Sequence, residues 1–320
     1  MEATPRIDRI DVRLAAWWAR RSMPLTAKVL RRLGAWENER WRNGGLRECR
    51  GVWHGYRMRL DSRDYHQRGA WFYGRLLDVH VQLAMRALLR PGDFFVDAGA
   101  NIGMLTMLAA RLVGPAGRVV AVEPNPVVFD ELRWHVTENV LDMVQLHCVA
   151  LSDHNGSMRL TLPPTGNTGA ATLGRLPSRH GGREGGHYEV PVRRGDELLA
   201  GIGAPSLIKL DVEGHETAAL RGFARTLESA RPAIVAEVNN EMLPANGTSV
   251  EELFGLLQES GYEAFGLTID WRRWARRWDL GLLPVTRSWR PSRTENVLFL
   301  HNDDERAGEL ARRLKAPSRT

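Results

Sequence analysis

The residues best suited to chemistry follow a short apolar run, in the segment 208–216 with the sequence IKLDVEGHE. It holds three carboxylates, Asp211, Glu213 and Glu216, and the imidazole of His215. Acids at the end of a strand can hold a cationic ligand or take a proton from an incoming hydroxyl group. His215 has two readings of similar weight, a general base or a capping or solvated side chain, because a neutral imidazole suits either role.

A glycine-containing turn precedes these acids, in the segment 97–103 with the sequence DAGANIG. Gly99 lets the backbone turn tightly after a strand, and Gly103 is expected to let the following helix pack close to that strand. Asn101 stands where a dinucleotide-binding loop has its second glycine, which lets a pyrophosphate approach. The loop therefore favours a nucleoside ligand without a diphosphate over NAD.

A further carboxylate, Glu123, lies in the sequence AVEPNP at 121–126. An acid at the end of the second strand, about 20 residues beyond a glycine loop, is well placed to accept hydrogen bonds from ribose hydroxyls. Paired with the loop, Glu123 is predicted to bind the ligand rather than to be a solvated strand end.

The elements that position these residues alternate between short apolar strands and helices from residue 93 onward. Such alternation, with apolar strands, predicts a doubly wound, Rossmann-like α/β fold with helices on both faces of a mostly parallel sheet. Two late strands would complete a seven-stranded sheet. The predicted strands are 93–97, 118–123, 144–150, 206–211, 233–238, 262–267 and 297–300, and the predicted helices are 104–113, 127–139 and 214–229.

Other segments depart from this rhythm. Residues 151–205 are rich in glycine and proline, which predicts a hairpin-like insertion with a short helix near 195–199. Within it, 163–190 is expected to help close an acceptor pocket. The predicted domains are a helical, basic N-terminal appendage (1–69), a catalytic domain (70–305) and a C-terminal tail (306–320).

The net charge of +6 and the pI near 9.8 favour anionic partners without indicating a chemistry. Residues 12–36 contain six basic and no acidic side chains. This segment could rest on an anionic membrane surface, although a lid or a solvated packing helix is the preferred interpretation. Trp271, Trp274 and Trp278 are expected on one helical face, with core packing favoured over stacking on a sugar or base.

Two cysteines, Cys49 and Cys148, are too few for a disulfide framework or a cysteine-based zinc site. The first ten residues lack the apolar core of a secretory signal, and no apolar stretch is long enough to span a membrane. A cytoplasmic location is therefore expected. No metal ligands are assigned, because the spacing of the acids does not demand an ion.

Taken in order, the segments 97–103, 123–126, 150–153 and 208–216, followed by Glu237, resemble the FkbM family of methyltransferases. The resemblance covers roughly 70–240 and implies a class I methyltransferase fold that uses S-adenosylmethionine. Carried onto this sequence, it implies donor-binding residues and residues at the reacting end. The donor-binding set is Asp97, Gly99, Asn101, Gly103 and Glu123, with Ser152 and Asp153 near the adenine; the reacting-end set is Asp211, Glu213, Glu216 and Glu237, with His215 as a further candidate base.

The resemblance also implies an O-methyltransferase whose partner is a hydroxyl-bearing small molecule, sugar, glycan, glycolipid or polyketide. An RNA methyltransferase is the first alternative, supported by the basic charge, although no RNA-binding module or Asn-Pro-Pro-aromatic motif is recognisable and nucleic acid is not expected as a partner. The second alternative is a donor-binding scaffold without catalysis, against which the acid segment 208–216 speaks.

Overall fold

The computed structural model describes residues 10–163, 171–174, 185–272, 277–286, 288–289, 291, 294–304, 308 and 314. Trp274, most of the 163–190 segment and nearly all of the 306–320 tail lie outside them. The chain divides into two compact units, Met1–Val79 and His80–Thr320. No helix in the described part is long and apolar enough to cross a membrane.

The first unit combines short helices with a two-stranded antiparallel sheet. A buried guanidinium, that of Arg68, holds its segments together by donating hydrogen bonds to the carbonyl oxygens of Ala35 and Ser62 and to Asn38 Oδ1. The unit extends ten residues beyond the expected 1–69 appendage, because helix 65–73 packs against the first helix and the second strand. Its elements are α1 (Ile10–Arg20), α2 (Thr26–Arg32), α3 (Asn38–Trp41), β1 (Leu46–Arg50), β2 (Arg57–Asp61) and α4 (Tyr65–Tyr73).

The second unit is built on a mostly parallel sheet, as predicted. Up to the end of the parallel strands its main elements are α5 (Val79–Leu88), β3 (Phe94–Ala98), α6 (Met104–Val113), β4 (Arg118–Val122), α7 (Pro126–Glu138), β5 (Val144–His147), β6 (Ala150–Ser152), β7 (Gly156–Leu162), β8 (Gly186–Arg194), α8 (Gly195–Leu198), β9 (Leu207–Leu210), α9 (Glu216–Gly222), α10 (Ala224–Ser229) and β10 (Ala233–Val238). They are followed by α11 (Met242–Ala245), α12 (Val250–Glu259), β11 (Tyr262–Arg272), β12 (Arg277–Val285) and β13 (Glu295–His301).

The main sheet has the strand order β12-β11-β13-β10-β9-β3-β4-β5 among the described residues, so it has eight strands rather than the seven predicted. Strands β10, β9, β3, β4 and β5 are parallel, and β13, β11 and β12 are antiparallel. One face of the sheet packs in a common core with α9, α10 and α12. Helix α6 packs against β3 and β4. Strands buried on both sides are typical of this architecture.

The additional strand corrects the helix expected for the tryptophans. Trp271 lies on β11 and Trp278 on β12, directly opposite each other in the antiparallel register, with ring centroids 4.9 Å apart. Aromatic and β-branched side chains favour strands, and Thr268 and Ile269 precede Trp271. A hairpin brings the two indoles together as well as a helical repeat would.

The predicted strand 144–150 is also corrected, because it divides between two sheets. Residues 144–147 form the edge strand β5, whereas β6 belongs to a separate sheet of order β6-β8-β7. Strands β7 and β8 pair antiparallel, which is the hairpin-like insertion predicted for 151–205. Helix α8 follows at the position expected near 195–199.

Candidate active site

The candidate site lies where the order of the parallel strands reverses. From β3 the chain continues to β4 and β5 on one side, whereas β9 and β10 lie on the other. Ligands of open α/β sheets bind in the crevice at the carboxyl ends of the two strands that flank such a point. Gly99 follows β3, and Asp211 follows β9. The glycine loop and the acid segment therefore meet at this crevice.

Two glycines of the loop have positive φ angles and close neighbours, so a side chain at either position would be strained. Gly99 has φ +75°, and a Cβ atom built on it would lie 1.8 Å from the carbonyl oxygen of Asp211. Gly103 has φ +90°, and its Cβ would lie 2.5 Å from Leu132 Cδ1 on α7. The close neighbour of Gly103 is thus a helix, not the preceding strand. The lack of a side chain at Gly99 and Gly103 therefore allows the path that the loop takes across the crevice.

Glu123 closes the loop from the neighbouring strand. Its Oε2 accepts a hydrogen bond of 2.9 Å from the backbone N–H of Asn101, and its Oε1 accepts one of 2.9 Å from that of Asn125. Asn101 itself has the left-handed φ of 51°. Burial raises the pKa of Glu123 to about 7, against the two backbone hydrogen bonds and the charge of Lys209. Each carboxylate oxygen keeps a lone pair for a ligand hydroxyl.

Asp97 supports the loop from behind, since its side chain is fully buried. Thr106 Oγ1 donates a hydrogen bond of 2.6 Å to Asp97 Oδ2, whereas Oδ1 is buried without a hydrogen-bond partner. Burial raises the pKa of Asp97, and the nearby Lys209 charge opposes that effect. An unsatisfied buried acceptor is costly, so Asp97 Oδ1 is a ready partner for a ligand donor.

Lys209 is a functional candidate that the sequence reasoning missed. Its ammonium group, buried within the apolar strand β9, donates to the carbonyl oxygen of Gly99 at 3.0 Å. It also lies 3.0 Å from Asp211 Oδ2. The sequence contained a signal for it, because a lysine within an apolar strand is expected to be buried and a buried ammonium group requires partners. Lys209 thereby ties the glycine loop to the first acid of the reacting end.

The parallel register places Glu237 beside the acid segment. Ala236 of β10 pairs with Leu210 of β9, so the next residues on the two strands are Glu237 and Asp211. Asp211, Glu213 and Glu237 each offer a carboxylate oxygen, and these oxygens all lie within 4.8 Å of one another. Hard divalent cations prefer such oxygen ligands, so these three residues could hold one. They could equally hold and deprotonate a hydroxyl group.

The electrostatics of this cluster favour a proton or a cation within it. Burial raises the pKa of Glu237 well above its ordinary value, and the carboxylates of Asp211, Glu213 and Glu216 raise it further. Lys209 opposes the shift. The nearby negative charges disfavour the ionised form of Glu237, so a proton on Glu237 or a cation between the carboxylates would relieve the repulsion.

Glu216, expected at the reacting end, stabilises the turn between β9 and α9. Its Oε1 accepts hydrogen bonds of 3.1 Å from the backbone N–H groups of Val212 and Gly214. Thr172 Oγ1 binds the same turn by donating to the carbonyl oxygen of Glu213 at 2.8 Å. Glu213 has a left-handed φ of 53°, so the turn depends on these contacts.

His215 forms a hydrogen bond with Ser152, one of the two residues expected near the adenine. Its Nε2 lies 3.0 Å from Ser152 Oγ, and Ser152 Oγ lies 3.2 Å from Asp153 Oδ1. Ser152 is fully buried, whereas Asp153 is partly exposed. Burial lowers the pKa of His215, so the imidazole is favoured in its neutral form. This hydrogen bond links the end of β6 to the residue that precedes α9. His215 therefore suits a positioning role as well as it suits the role of general base.

The chain is similar to known methyltransferases. Residues 97–264 match the family described as the methyltransferase FkbM domain. The chain is 32% identical over 204 residues to the 31-O-demethyl-FK506 methyltransferase FkbM of Streptomyces tacrolimicus. The aligned region covers 54% of this chain and 74% of that protein. It is 29% identical over 145 residues to the hexuronic acid methyltransferase AglP of Haloferax volcanii, and this alignment covers 45% of this chain and 55% of that protein.

A third relative is the 2-O-methyltransferase NoeI of Sinorhizobium fredii, at 30% identity over 168 residues, covering 48% of this chain and 67% of that protein. Among solved structures, a methyltransferase FkbM from Methylobacillus flagellatus superposes with a TM-score of 0.37 at 15% identity, covering 88% of this chain and 62% of that one. The family match begins at Asp97 and includes the acid segment. The resemblance drawn from the motifs is thereby confirmed: this chain belongs to the FkbM methyltransferase family and is an S-adenosylmethionine-dependent methyltransferase.

Proposed function

We propose that the protein transfers the methyl group of S-adenosylmethionine to a hydroxyl oxygen of a sugar or polyketide-type acceptor. The observation that carries this proposal is the convergence of Asp211, Glu213 and Glu237 beside the glycine loop. The relatives named for 31-O-demethyl-FK506, for a hexuronic acid and for 2-O-methylation support the acceptor class.

The residues at the crevice fit the donor. Gly99 lets the loop pass directly against the Asp211 carbonyl oxygen, and Glu123 keeps lone pairs for the two hydroxyls of a ribose. Ser152 and Asp153 remain proposed for the adenine end. Asp97 Oδ1, buried without a partner, adds an acceptor near the loop. When bound, the donor supplies a methyl group on a positively charged sulfur.

The acid cluster is proposed to act on the acceptor. One carboxylate accepts the hydroxyl proton as the oxygen forms its bond to the methyl carbon, and the carbon–sulfur bond breaks to leave neutral sulfur. Asp211 suits this role because it is partly exposed and its Oδ2 lies 3.0 Å from the Lys209 ammonium group. Holding oxygen, carbon and sulfur in line can supply ~7–11 kcal/mol of the barrier reduction. Glu237 and His215 are the further candidates for the base.

The test incubates the protein with methyl-labelled donor and a panel of polyketides, uronic acids, oligosaccharides and RNA. The proposal predicts label in a hydroxyl-bearing polyketide or sugar as a base-stable ether. Label in RNA would support the alternative RNA methyltransferase, and donor binding without transfer to any acceptor would support a scaffold. Repeating the productive reaction after dialysis against a chelator, with and without added Mg²⁺, separates a proton-accepting cluster from a cation-holding one.

Donor binding has its own prediction. Glu123→Ala should weaken binding of the demethylated donor by about 1.5–3 kcal/mol, because it removes charged hydrogen bonds. Titration calorimetry measures this against the wild type, with NAD as the comparison ligand. Tight NAD binding with no response to either sulfur nucleoside would contradict the assignment of the loop.

A further inference from the structure

Helix α1 has two sharply different faces. Val12, Ala15, Ala16 and Ala19 are buried, which gives the helix a narrow packing face of small side chains. At 100° per residue, the opposite face contains Ile10, Leu14 and Trp17, which are 77%, 59% and 48% exposed. An amphipathic packing helix normally turns polar side chains outward, so this stripe of large apolar side chains requires an explanation.

The turn after α1 presents another apolar side chain. Leu25 is 69% exposed and has the left-handed φ of 62°, a conformation that is costly for a residue with a branched side chain. Hydrogen bonds hold the turn in this shape: Trp18 Nε1 donates to the carbonyl oxygen of Pro24 at 2.9 Å, and Thr26 Oγ1 donates to that of Met23 at 2.6 Å. A strained backbone that keeps a leucine in solvent points to a use for that leucine.

Exposed basic side chains lie on the same two helices and the turn between them. Residues 12–36 contain six basic and no acidic side chains, although the whole chain has 44 basic and 38 acidic ones. Arg13 lies on the exposed face of α1, and the guanidinium of Arg21 stacks over the Trp17 ring at 4.1 Å from its centroid. We call the following exposed set the α1–α2 surface: Ile10, Arg13, Leu14, Trp17, Arg21, Leu25, Lys28, Arg31 and Arg32.

We propose that the α1–α2 surface docks on an anionic lipid surface. Leucine, isoleucine and tryptophan enter the boundary between headgroups and acyl chains, and lysine and arginine bind anionic headgroups beside them. Charge complementarity favours this occupant over the others. A second copy would place the same basic surface against itself in a two-fold dimer, and RNA phosphates would leave the aliphatic side chains of Ile10, Leu14 and Leu25 without a partner.

The test is sedimentation of the full chain with vesicles of phosphatidylcholine alone or of phosphatidylcholine mixed with phosphatidylglycerol. Binding is expected to the mixed vesicles, at least about tenfold stronger than to the neutral ones, and to fall with added salt. Lys28→Glu with Arg31→Glu should reduce it by at least about tenfold, because each basic residue near the surface contributes about fivefold. Leu14→Ser should also reduce it.

Leu25→Gly separates membrane contact from a structural role. Glycine tolerates the left-handed conformation, so this variant should lose vesicle binding while its melting temperature stays level or rises. Val140→Gly is the matched control, because Val140 is also left-handed, with φ 51°, is 74% exposed, and lies in the other unit. It should bind vesicles like the wild type. Equal binding to neutral and anionic vesicles, no binding to either, or wild-type binding by Leu25→Gly and Leu14→Ser would overturn the proposal.

Discussion

Lys209 joins the glycine loop to the acid cluster through its buried ammonium group. Its partners, the carbonyl oxygen of Gly99 and the carboxylate of Asp211, are 110 and two positions away. The residue types and spacing predicted that Gly99, Glu123 and Asp211 would share one crevice. They could not predict the bond between Glu123 and the N–H of Asn101, because such contacts depend on backbone angles that only the folded chain defines. The hydrogen bonds that Glu216 Oε1 accepts from Val212 and Gly214 were unpredictable for the same reason.

The approach of Gly99 to Asp211 gives a residue-scale prediction. Gly99→Ala should abolish donor binding and lower stability, because its Cβ would overlap the Asp211 carbonyl oxygen at 1.8 Å. Gly92→Ala is the matched control, since Gly92 has φ +90° and nothing lies within 4 Å of its added Cβ. It should incur only the cost of the left-handed conformation, about 1–2 kcal/mol. Calorimetry and thermal unfolding measure both effects, and equal behaviour of the two variants would contradict the contact.

Glu216 gives a second prediction, in pH dependence. Burial raises its pKa from 4.5 to about 7, so the folded protein binds this proton more tightly than the unfolded chain. Its contribution to the free energy of unfolding is therefore fully present below the unfolded pKa and is lost as the pH rises towards about 7. Glu216→Gln keeps an acceptor for Val212 and Gly214 without a charge. Its melting temperature relative to the wild type should rise between about pH 5 and about pH 8; a pH-independent difference would show that Glu216 does not titrate in this range.

At the element scale, strands with continuous apolar runs were predicted closely. The predicted strand 233–238 coincides with β10, and helix 104–113 coincides with α6. The segment 144–150 misled because apolar residues continue from β5 into β6 without a glycine or proline where the chain changes sheets. The helix predicted for the tryptophan segment was wrong because a spacing of seven residues brings side chains together in a helix. In the β11–β12 hairpin the same spacing places Trp271 opposite Trp278.

The hairpin has a prediction of its own. A double-mutant cycle with Trp271→Ser and Trp278→Ser should give a coupling energy of about 0.5–1.5 kcal/mol, as is typical of an aromatic pair. Urea unfolding of the two single variants and the double variant measures it. Additive effects of the two substitutions would contradict the cross-strand contact at 4.9 Å.

At the scale of the whole molecule, topology explains why residues far apart in sequence form one site. The crevice at the reversal of strand order was predictable from alternation alone, since parallel strands end at the same edge. The neighbourhood of Asp211 and Glu237 depended on β10 lying directly beside β9, which spacing does not encode. For Glu237 the family resemblance supplied what residue patterns could not.

The central claim is that the acids at the ends of β9 and β10 serve the transferred methyl group rather than the fold or the donor's affinity. An interaction made chiefly in the transition state lowers turnover without changing ground-state binding. The direct measurement compares the methyl-transfer rate and the affinity for the demethylated donor in the wild type, Asp211→Asn and Glu213→Gln. Glu263→Gln, an exposed acid on β11, is the control and should retain both properties.

Asp211→Asn is expected to lose about 10²–10⁴-fold in turnover, the usual cost of removing a general base, while its affinity for the demethylated donor stays within several-fold of the wild type. Glu213→Gln should behave similarly if it contacts the acceptor or a cation. Near-normal turnover by both folded variants would contradict the account and move the search for the base to His215 or Glu237.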